Sequence, residues 1–238
     1  MNRQIPQALV TGAGSGIGEA VTLRLIERGS HVYSFDIIPR RRRVEGLENH
    51  LVDVSDPQQI VDGLKLIRGK LNLVFSNAGV LARGRLFDVV PAAFERMVSV
   101  NMLGSWNLMK ELMEQRKLEQ NATVIQMCST VGQHPADALG PYSLSKQMVH
   151  AYIQMLRREV SVNPRLQGLR ILGLYLHAVK TPMTMAAFST EQEYDAQALR
   201  HWGTVSTPAD IADWTMRLID SHKQDLAWDP ERREYMLR

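Results

Sequence analysis

The feature that most constrains the fold is a glycine-rich loop near the start of the chain. It joins a short apolar run, residues 8–10, to an amphipathic pattern over residues 17–28 that Gly29 ends. A strand, a glycine loop and a helix in this order are typical of a dinucleotide-binding turn. Glycines let the backbone approach a pyrophosphate, and the helix N-terminus offers amide donors and a positive dipole. The predicted contacts come from this T-G-A-G-S-G-I-G segment: Gly12, Ser15, Gly16, Ile17 and Gly18.

An acidic residue follows the loop at a suitable distance. Residues 31–35 alternate like a strand, and Asp36 closes that strand about 20 residues after the loop. A carboxylate there can accept both hydroxyls of an adenosine ribose and repels a 2′-phosphate, which favours NAD over NADP. The arginine run at residues 40–43 could instead hold a phosphate. We favour a solvated loop for that run, because Pro39 places it beyond a turn.

A third strand is predicted at residues 51–54, with Asp53 and Val54 at its end. Asp53 could accept a hydrogen bond from an adenine amino group. Alternatively, it could cap the helix that begins at Asp56 and Pro57, although Ser55 or Asp56 could do the capping. We predict that Asp53 and Val54 contact the cofactor.

A fourth strand over residues 71–75 leads into S-N-A-G, and a long helix is predicted over residues 91–117. Small residues at the strand exit let the backbone pass close under a flat cofactor ring, which places Asn77, Ala78 and Gly79 in the site. Asn101 is a poor residue for the middle of a helix. Either the helix opens locally there, so that a backbone carbonyl holds a water molecule beside Lys146, or Asn101 is an ordinary buried amide.

The segment from Ser129 to Lys146 carries a hydroxyl, a phenol and an ammonium group. Residues 123–128 predict a strand that ends at Ser129, and a loop then leads into a helix over residues 142–162. Tyr142 and Lys146 are four positions apart, so they share one face of that helix. We expect Lys146 to lower the pKa of the phenol from about 10. With Ser129 holding the substrate oxygen, this is an acid–base device for a carbonyl or carbinol.

Composition excludes several classes of function. The chain has 238 residues, a net charge of +3 and one cysteine. The charge is too small and too local to predict nucleic-acid binding, and a single cysteine fits a reducing compartment. We find no signal peptide, no run near ~20 apolar residues and no zinc-ligand spacing. We therefore expect a cytoplasmic protein without a metal, and a single domain over residues 1–238.

These features together resemble the short-chain dehydrogenase/reductase family over nearly the whole chain. The resemblance implies an α/β fold with a Rossmann-type doubly wound parallel sheet of strand order 3-2-1-4-5-6, usually with a seventh strand. Residues 1–120 would form mainly the dinucleotide-binding half, and residues 121–238 the catalytic and substrate-binding half. It further implies hydride transfer between NAD(P) and a secondary alcohol or ketone, with NAD favoured by Asp36.

The resemblance also implies a role for each catalytic residue. Tyr142 would be the general acid/base, and Lys146 would lower its pKa and hold the nicotinamide ribose. Ser129 would orient the substrate oxygen, and Asn101 would fix a water molecule of the proton relay. Family members commonly pair through the two long helices, which implies a homodimer or homotetramer.

Two regions depart from the family pattern. Leu176-His177 stands where the family usually has Pro-Gly, although Val179 and Thr181 remain for contacts with the nicotinamide amide. His177 could contact substrate as an acid or base, or it could merely fill a reshaped turn, which we favour. At the C-terminus, residues 226–228 predict a shortened seventh strand, and the charged tail after it would cover a partner's site or extend into solvent.

The segment over residues 183–205 is where family members close over substrate. Its Met183 and its aromatic residues indicate an apolar or cyclic alcohol or ketone as substrate, with Met183 as one contact. Alternatively, these side chains pack on the lid's own core. A non-redox function on the same fold is the second hypothesis: a lyase, cyclase or isomerase, or a regulatory protein that binds a nucleotide.

Overall fold

An eight-stranded sheet runs through the centre of the computed structural model, which describes residues 6–38, 43–186 and 188–238. The strand order is β3-β2-β1-β4-β5-β6-β7-β8, and only the β7–β8 pair is antiparallel in this sheet of described residues. The strands are β1 Gln7–Thr11, β2 His31–Asp36, β3 Leu47–Leu51, β4 Leu71–Ser76, β5 Leu118–Met127, β6 Arg170–Tyr175, β7 Asp225–Asp229 and β8 Glu234–Leu237. The predicted α/β doubly wound sheet and its strand order are therefore confirmed.

Helices cover both faces of the sheet. The α-helices are α1 Gly16–Glu27, α2 Pro57–Leu66, α3 Pro91–Met97, α4 Gly104–Glu114, α5 Gly140–Val162, α6 Pro182–Met185, α7 Glu191–Trp202 and α8 Pro208–Asp220. On one face, Ile60 of α2, Leu108 of α4 and Ile153 of α5 are buried. On the other face, Val21 of α1 and Ile211 of α8 are buried. This two-sided burial explains why the central strands are almost continuously apolar.

The third strand lies earlier in the chain than predicted. It spans Leu47–Leu51, and Leu47 pairs with Val32 while Leu51 pairs with Asp36. Val52 and Val54, which we assigned to the strand, are buried in the loop that follows. The short connection from β2 has no helix in its described residues, 37–38 and 43–46. Pro39 and Arg40–Arg42 lie outside the described residues, so the alternative that the arginine run raised stays untested.

The long helix predicted over residues 91–117 is three segments. α3 ends at Met97, a π-helical stretch spans Val98–Leu103, and α4 continues to Glu114. A π-helical insertion widens the helical turn and is often found at functional sites. The helix is therefore locally opened around Asn101, as the first of the two interpretations of Asn101 predicted.

The C-terminal tail is ordered as an extra strand. Residues 226–228 belong to the seventh strand, as predicted. The chain then turns back, and β8 pairs antiparallel with β7, with Trp228 opposite Tyr235. Tyr235 is buried against the sheet's second core. The alternative in which the tail extends into solvent was wrong, because its alternating apolar residues, Tyr235 and Leu237, pair along β7.

Candidate active site

The glycine loop leaves no room for side chains beneath the start of α1. Gly12 and Gly16 have φ values of +65° and +56°. A Cβ on Gly18 would lie 2.0 Å from the carbonyl oxygen of Gly12. The Asn77 side-chain amide donates to the carbonyl oxygens of Thr11 and Gly12, at 3.0 and 3.1 Å. The loop is thus held against the β4 exit by hydrogen bonds from the Asn77 side chain.

Asp36 faces this loop from the end of β2. Its Oδ2 accepts a hydrogen bond from the Gly14 amide at 2.8 Å, and its Oδ1 accepts one from the Ile38 amide at 2.9 Å. A Cβ on Gly14 would lie 3.0 Å from Oδ2. The carboxylate is therefore fixed in position by backbone donors, and it places a negative charge beside the loop.

Asp53 forms an ion pair with Arg96, a residue that the sequence did not identify as part of the site. Arg96 of α3 donates from Nη2 to Asp53 Oδ2 at 3.0 Å, and Ser55 donates to Oδ1 from its amide and its hydroxyl. Burial opposes ionisation of Asp53, but these hydrogen bonds outweigh it and hold its pKa below the usual value. Asp56 caps α2 by accepting from Gln58 and Gln59, so the capping alternative for Asp53 was wrong.

Asn101 is buried and fully bonded. Its Oδ1 accepts from the Val80 amide at 2.8 Å, and its Nδ2 donates to the Val80 carbonyl at 3.0 Å and to Ser145 Oγ at 3.1 Å. The side chain fixes the backbone just after Gly79 and ties it to α5. Both sequence interpretations therefore hold in part: the helix is opened locally, and the amide is a structural bridge.

Ser129, Tyr142 and Lys146 meet at the carboxyl end of β5. Ser129 Oγ donates to the Leu176 carbonyl at 3.2 Å. Lys146 Nζ donates to the Met127 carbonyl at 3.0 Å and lies 5.8 Å from the centroid of the Tyr142 ring. The strand–loop–helix unit thus brings the hydroxyl, the phenol and the ammonium to one cleft.

The expected depression of the Tyr142 pKa is not observed. Burial of the phenol raises its pKa above the ordinary value, the nearby Cys128 thiol adds to the rise, and the Ser129 hydroxyl opposes it. Burial also lowers the pKa of Lys146. The correction has a simple cause: the ammonium group is directed to the Met127 carbonyl, and both groups sit in a region from which protein excludes water.

His177 is packed in an aromatic cage. Its ring stacks on Trp202 and Tyr235, with centroids 5.1 and 5.2 Å apart, and meets the edge of Trp228 at 4.2 Å. Its Nε2 lies 3.1 Å from Ser206 Oγ. Burial lowers the pKa of His177 to about 4. The neutral ring fills the reshaped turn, as favoured from sequence, and it also forms part of the cleft wall.

This depressed pKa predicts that His177 weakens the fold as the pH falls. The unfolded side chain takes up a proton near pH 6.5, whereas the folded one does so near pH 4. The stability is therefore present at pH 7 and is lost as the pH falls, by about 2 kcal/mol between pH 7 and pH 5. Urea unfolding at both pH values should show this loss in the wild type and not in His177→Gln. The exposed His222→Gln variant should keep the wild-type loss, and parallel curves for wild type and His177→Gln would refute the assignment.

The predicted site residues converge on one cleft of 290 Å³. Those lining it are Gly12, Ser15, Gly16, Ile17, Asp36, Asp53, Val54, Asn77, Ala78, Gly79, Ser129, Tyr142, Lys146, His177, Val179, Thr181 and Met183. Gly18 and Asn101 do not line the cleft but pack behind residues that do, against Gly12 and Val80 respectively. We call this space the dinucleotide cleft.

A second space of 220 Å³ adjoins the cleft on the lid side. It shares Ser129, Tyr142, His177 and Met183 with the dinucleotide cleft, and we call it the substrate cavity. Thr181 caps the short helix α6 in a reciprocal pair with Thr184, which fixes the entry to the lid. The sequence did not identify Arg96, which lines the dinucleotide cleft, or Arg83, which lines the substrate cavity. No local sequence pattern distinguishes an arginine that faces a site from one that faces solvent.

Membrane-spanning helices and metal-binding clusters are both absent from the described residues. None of the described helices is long and apolar enough to cross a membrane. The described part of the chain holds no group of three or more histidine, cysteine, aspartate or glutamate side chains placed to bind a metal ion.

Comparison with known proteins gives consistent matches. The family model for short chain dehydrogenases matches residues 6–192. The oxidoreductase UcpA of Escherichia coli (strain K12) is 26% identical over 190 residues, which cover 74% of this chain and 70% of the relative. The trihydroxynaphthalene reductase PfmaI of Pestalotiopsis fici is 30% identical over 229 residues, covering 86% and 79%. A short chain dehydrogenase family protein from Francisella tularensis superposes with a TM-score of 0.80, at 23% identity and 90% coverage of both chains.

Proposed function

We propose a function from the premise that this chain belongs to the short-chain dehydrogenase family. It is an oxidoreductase of that family with a nicotinamide dinucleotide as cofactor. The specific proposal is that it transfers a hydride between NAD and a secondary alcohol or ketone with an apolar or cyclic skeleton. The observation that carries it is the position of Ser129 and Tyr142, which line both the dinucleotide cleft and the substrate cavity.

The dinucleotide cleft suits the cofactor in shape and in charge. The glycine loop is a cradle that any Cβ at Gly12 or Gly18 would fill. The Asp36 carboxylate, held by the Gly14 and Ile38 amides, would accept the ribose hydroxyls and repel a 2′-phosphate. These contacts support NAD rather than NADP. Asp53 would face the adenine, and Val179 and Thr181 would face the nicotinamide amide.

The chain's own residues would handle the proton and the substrate oxygen. When bound, the nicotinamide accepts a hydride from the carbinol carbon or returns one to the carbonyl carbon. In oxidation, the carbinol C–H and O–H bonds break, the C=O bond forms, and the hydroxyl proton passes to the Tyr142 oxygen, which must first have released its own proton to solvent. In reduction, Tyr142 donates that proton; its raised pKa keeps the phenol protonated at neutral pH, ready for this direction. Ser129 would turn its hydroxyl from the Leu176 carbonyl to the substrate oxygen.

Exposed apolar side chains support the proposal of a homodimer or homotetramer. They lie along the π-helical stretch, α4 and α5: Leu103, Trp106, Leu144, Met148, Met155 and Val162. Exposed apolar side chains grouped on a few helices favour a contact surface, and a second copy of this chain is the partner that we propose. The single buried cysteine, Cys128, is consistent with the cytoplasm as the proposed location.

The non-redox hypothesis depended on the departures at Leu176-His177 and at the C-terminus. His177 is accounted for by packing within its aromatic cage, and the tail by pairing with β7. Val179 and Thr181 still line the cleft beside these residues. No contact among the described residues favours a lyase, cyclase or isomerase over hydride transfer.

The proposed function is tested by following the absorbance band of reduced nicotinamide. We expect the purified protein to oxidise at least one member of a panel of cyclic and aromatic secondary alcohols with NAD, and to reduce the matching ketone with NADH. Open-chain polar alcohols serve as the comparison set and are expected to be poorer substrates. Conversion of any panel member without a change in that absorbance, as an elimination or isomerisation gives, would contradict hydride transfer.

A further inference from the structure

The substrate cavity is mostly apolar, with one arginine in its lining. Its walls are built mainly from the lid and from the segment between β5 and α5, and its apolar side chains include Leu81, Met183, Phe188 and Trp202. At 220 Å³ it is larger than the cavity of about 150 Å³ that holds a benzene molecule. It therefore has room for a substituted ring or two fused rings.

Arg83 is the only formally charged side chain among the described residues that line this cavity. Its guanidinium lies over the Phe188 ring, 5.4 Å from the ring centroid. Arg83 is exposed, so it lies where the cavity opens to solvent. No described carboxylate lies within ion-pairing distance of Arg83, whereas Arg96, in the neighbouring cleft, is paired with Asp53 at 3.0 Å. The positive charge of Arg83 is thus unpaired at the mouth of the cavity.

We propose that the substrate of this cavity carries an acidic oxygen substituent, a carboxylate or an acidic phenol, on its apolar ring system. Ser129 and Tyr142 hold the reacting oxygen, and Arg83 holds the acidic oxygen. The role of this ligand as substrate rests on the proposed function, whereas its charge and ring character rest on the cavity alone. A cationic substituent at the same place would meet the Arg83 charge with no carboxylate to offset it.

Binding can be measured without turnover, by calorimetric titration with two naphthalene probes. We expect 2-naphthoate to bind about tenfold more tightly than neutral 2-naphthol, since a hydrogen bond to a charged group contributes more than one to a neutral group. Arg83→Ala should remove most of this difference. Arg85→Ala removes the same charge from the same loop outside the cavity lining, and should keep the wild-type preference. Higher salt should weaken 2-naphthoate binding to the wild type.

The outcomes separate this inference from the proposed function. Equal affinities for 2-naphthoate in the wild type and Arg83→Ala, or no preference over 2-naphthol, would overturn it. Turnover is then compared for 1-tetralone and its 6-carboxylate with NADH, and Arg83→Ala should impair the carboxylate at least fivefold more than the neutral ketone. An acidic phenol as the true substituent would appear as a rise in 2-naphthol affinity at a pH that ionises it. Tight 2-naphthoate binding with no ketone turned over would count against hydride transfer, while supporting the ligand class.

Discussion

Replacing Tyr142 with phenylalanine is expected to lower kcat by about 10²–10⁴-fold, the range that a positioned general acid or base contributes. The substitution removes one oxygen atom and keeps the ring that lies 5.8 Å from Lys146 Nζ. The phenol is protonated at neutral pH and can donate its proton to a carbonyl oxygen, and no neighbouring group replaces it, because Lys146 is directed to the Met127 carbonyl. The affinity for NAD should stay within about twofold to threefold of the wild type, since the glycine loop and Asp36 are untouched.

Tyr152 offers a matched control on the same helix. It is buried in the core of the α5 face, and its hydroxyl has no hydrogen-bond partner among the described residues. Tyr152→Phe removes the same atom away from both cavities and should leave kcat unchanged within about twofold. Initial rates of ketone reduction, with cofactor affinities by titration, compare the two variants. An unchanged rate in Tyr142→Phe would remove Tyr142 from the proton-transfer step.

Asp36→Asn is expected to shift the ratio of NADP to NAD affinity by about 10- to 100-fold in favour of NADP. The asparagine oxygen can still accept a hydrogen bond from the Gly14 amide, whereas the bond from the Ile38 amide is lost with the charge. A unit charge about 4 Å from a phosphate charge contributes up to about 4 kcal/mol near a protein surface, which solvent screening reduces. The change is therefore large enough to alter cofactor choice, and it separates charge from geometry better than alanine would.

Asp62 provides the control for a general change of charge. It is exposed on α2, where it pairs with Lys65 at 2.7 Å, and it does not line the dinucleotide cleft. Asp62→Asn should leave both affinities unchanged. Affinities for NAD and NADP are measured by calorimetry in all three proteins. If the ratio in Asp36→Asn equals that of the wild type, Asp36 does not discriminate against the 2′-phosphate.

The parts of the site that were predictable from sequence depend on local patterns. The glycine loop needs an apolar run before it and a helix after it, and the pairing of Tyr142 with Lys146 needs only helical spacing. Both patterns lie within a few turns of chain, and the structure forms both as local units. The strand order followed from the family resemblance rather than from any local pattern.

The third strand shows why local patterns fail. Residues 51–54 look like a strand because Leu51, Val52 and Val54 are apolar. The strand is instead Leu47–Leu51, an edge strand whose central residues Glu48, Asn49 and His50 are polar. Pairing with β2 decides the strand, and Val52 and Val54 are instead buried in the loop that follows, against α2 and α4. A tertiary contact therefore overrides β-propensity here.

Long-range contacts account for the other differences. Arg96 reaches Asp53 from a different helix, and Arg83 faces a cavity whose far wall is the lid, so neither arginine has a local signature. The pKa of Tyr142 depends on water exclusion by the whole cleft and on where Lys146 is directed. Tyr235 joins the His177 cage only because β8 folds back on β7. Each of these features requires the assembled fold.

The most direct test of the central claim is calorimetric titration of the purified wild-type protein with NAD and, separately, with NADP. The glycine loop and the fixed Asp36 carboxylate predict one NAD bound per chain, with clearly weaker binding of NADP. Tighter binding of NADP would contradict the role of Asp36 and leave the dinucleotide cleft in place. Binding of neither dinucleotide would contradict the account as a whole, since hydride transfer at Tyr142 requires the cleft beside it to hold the cofactor.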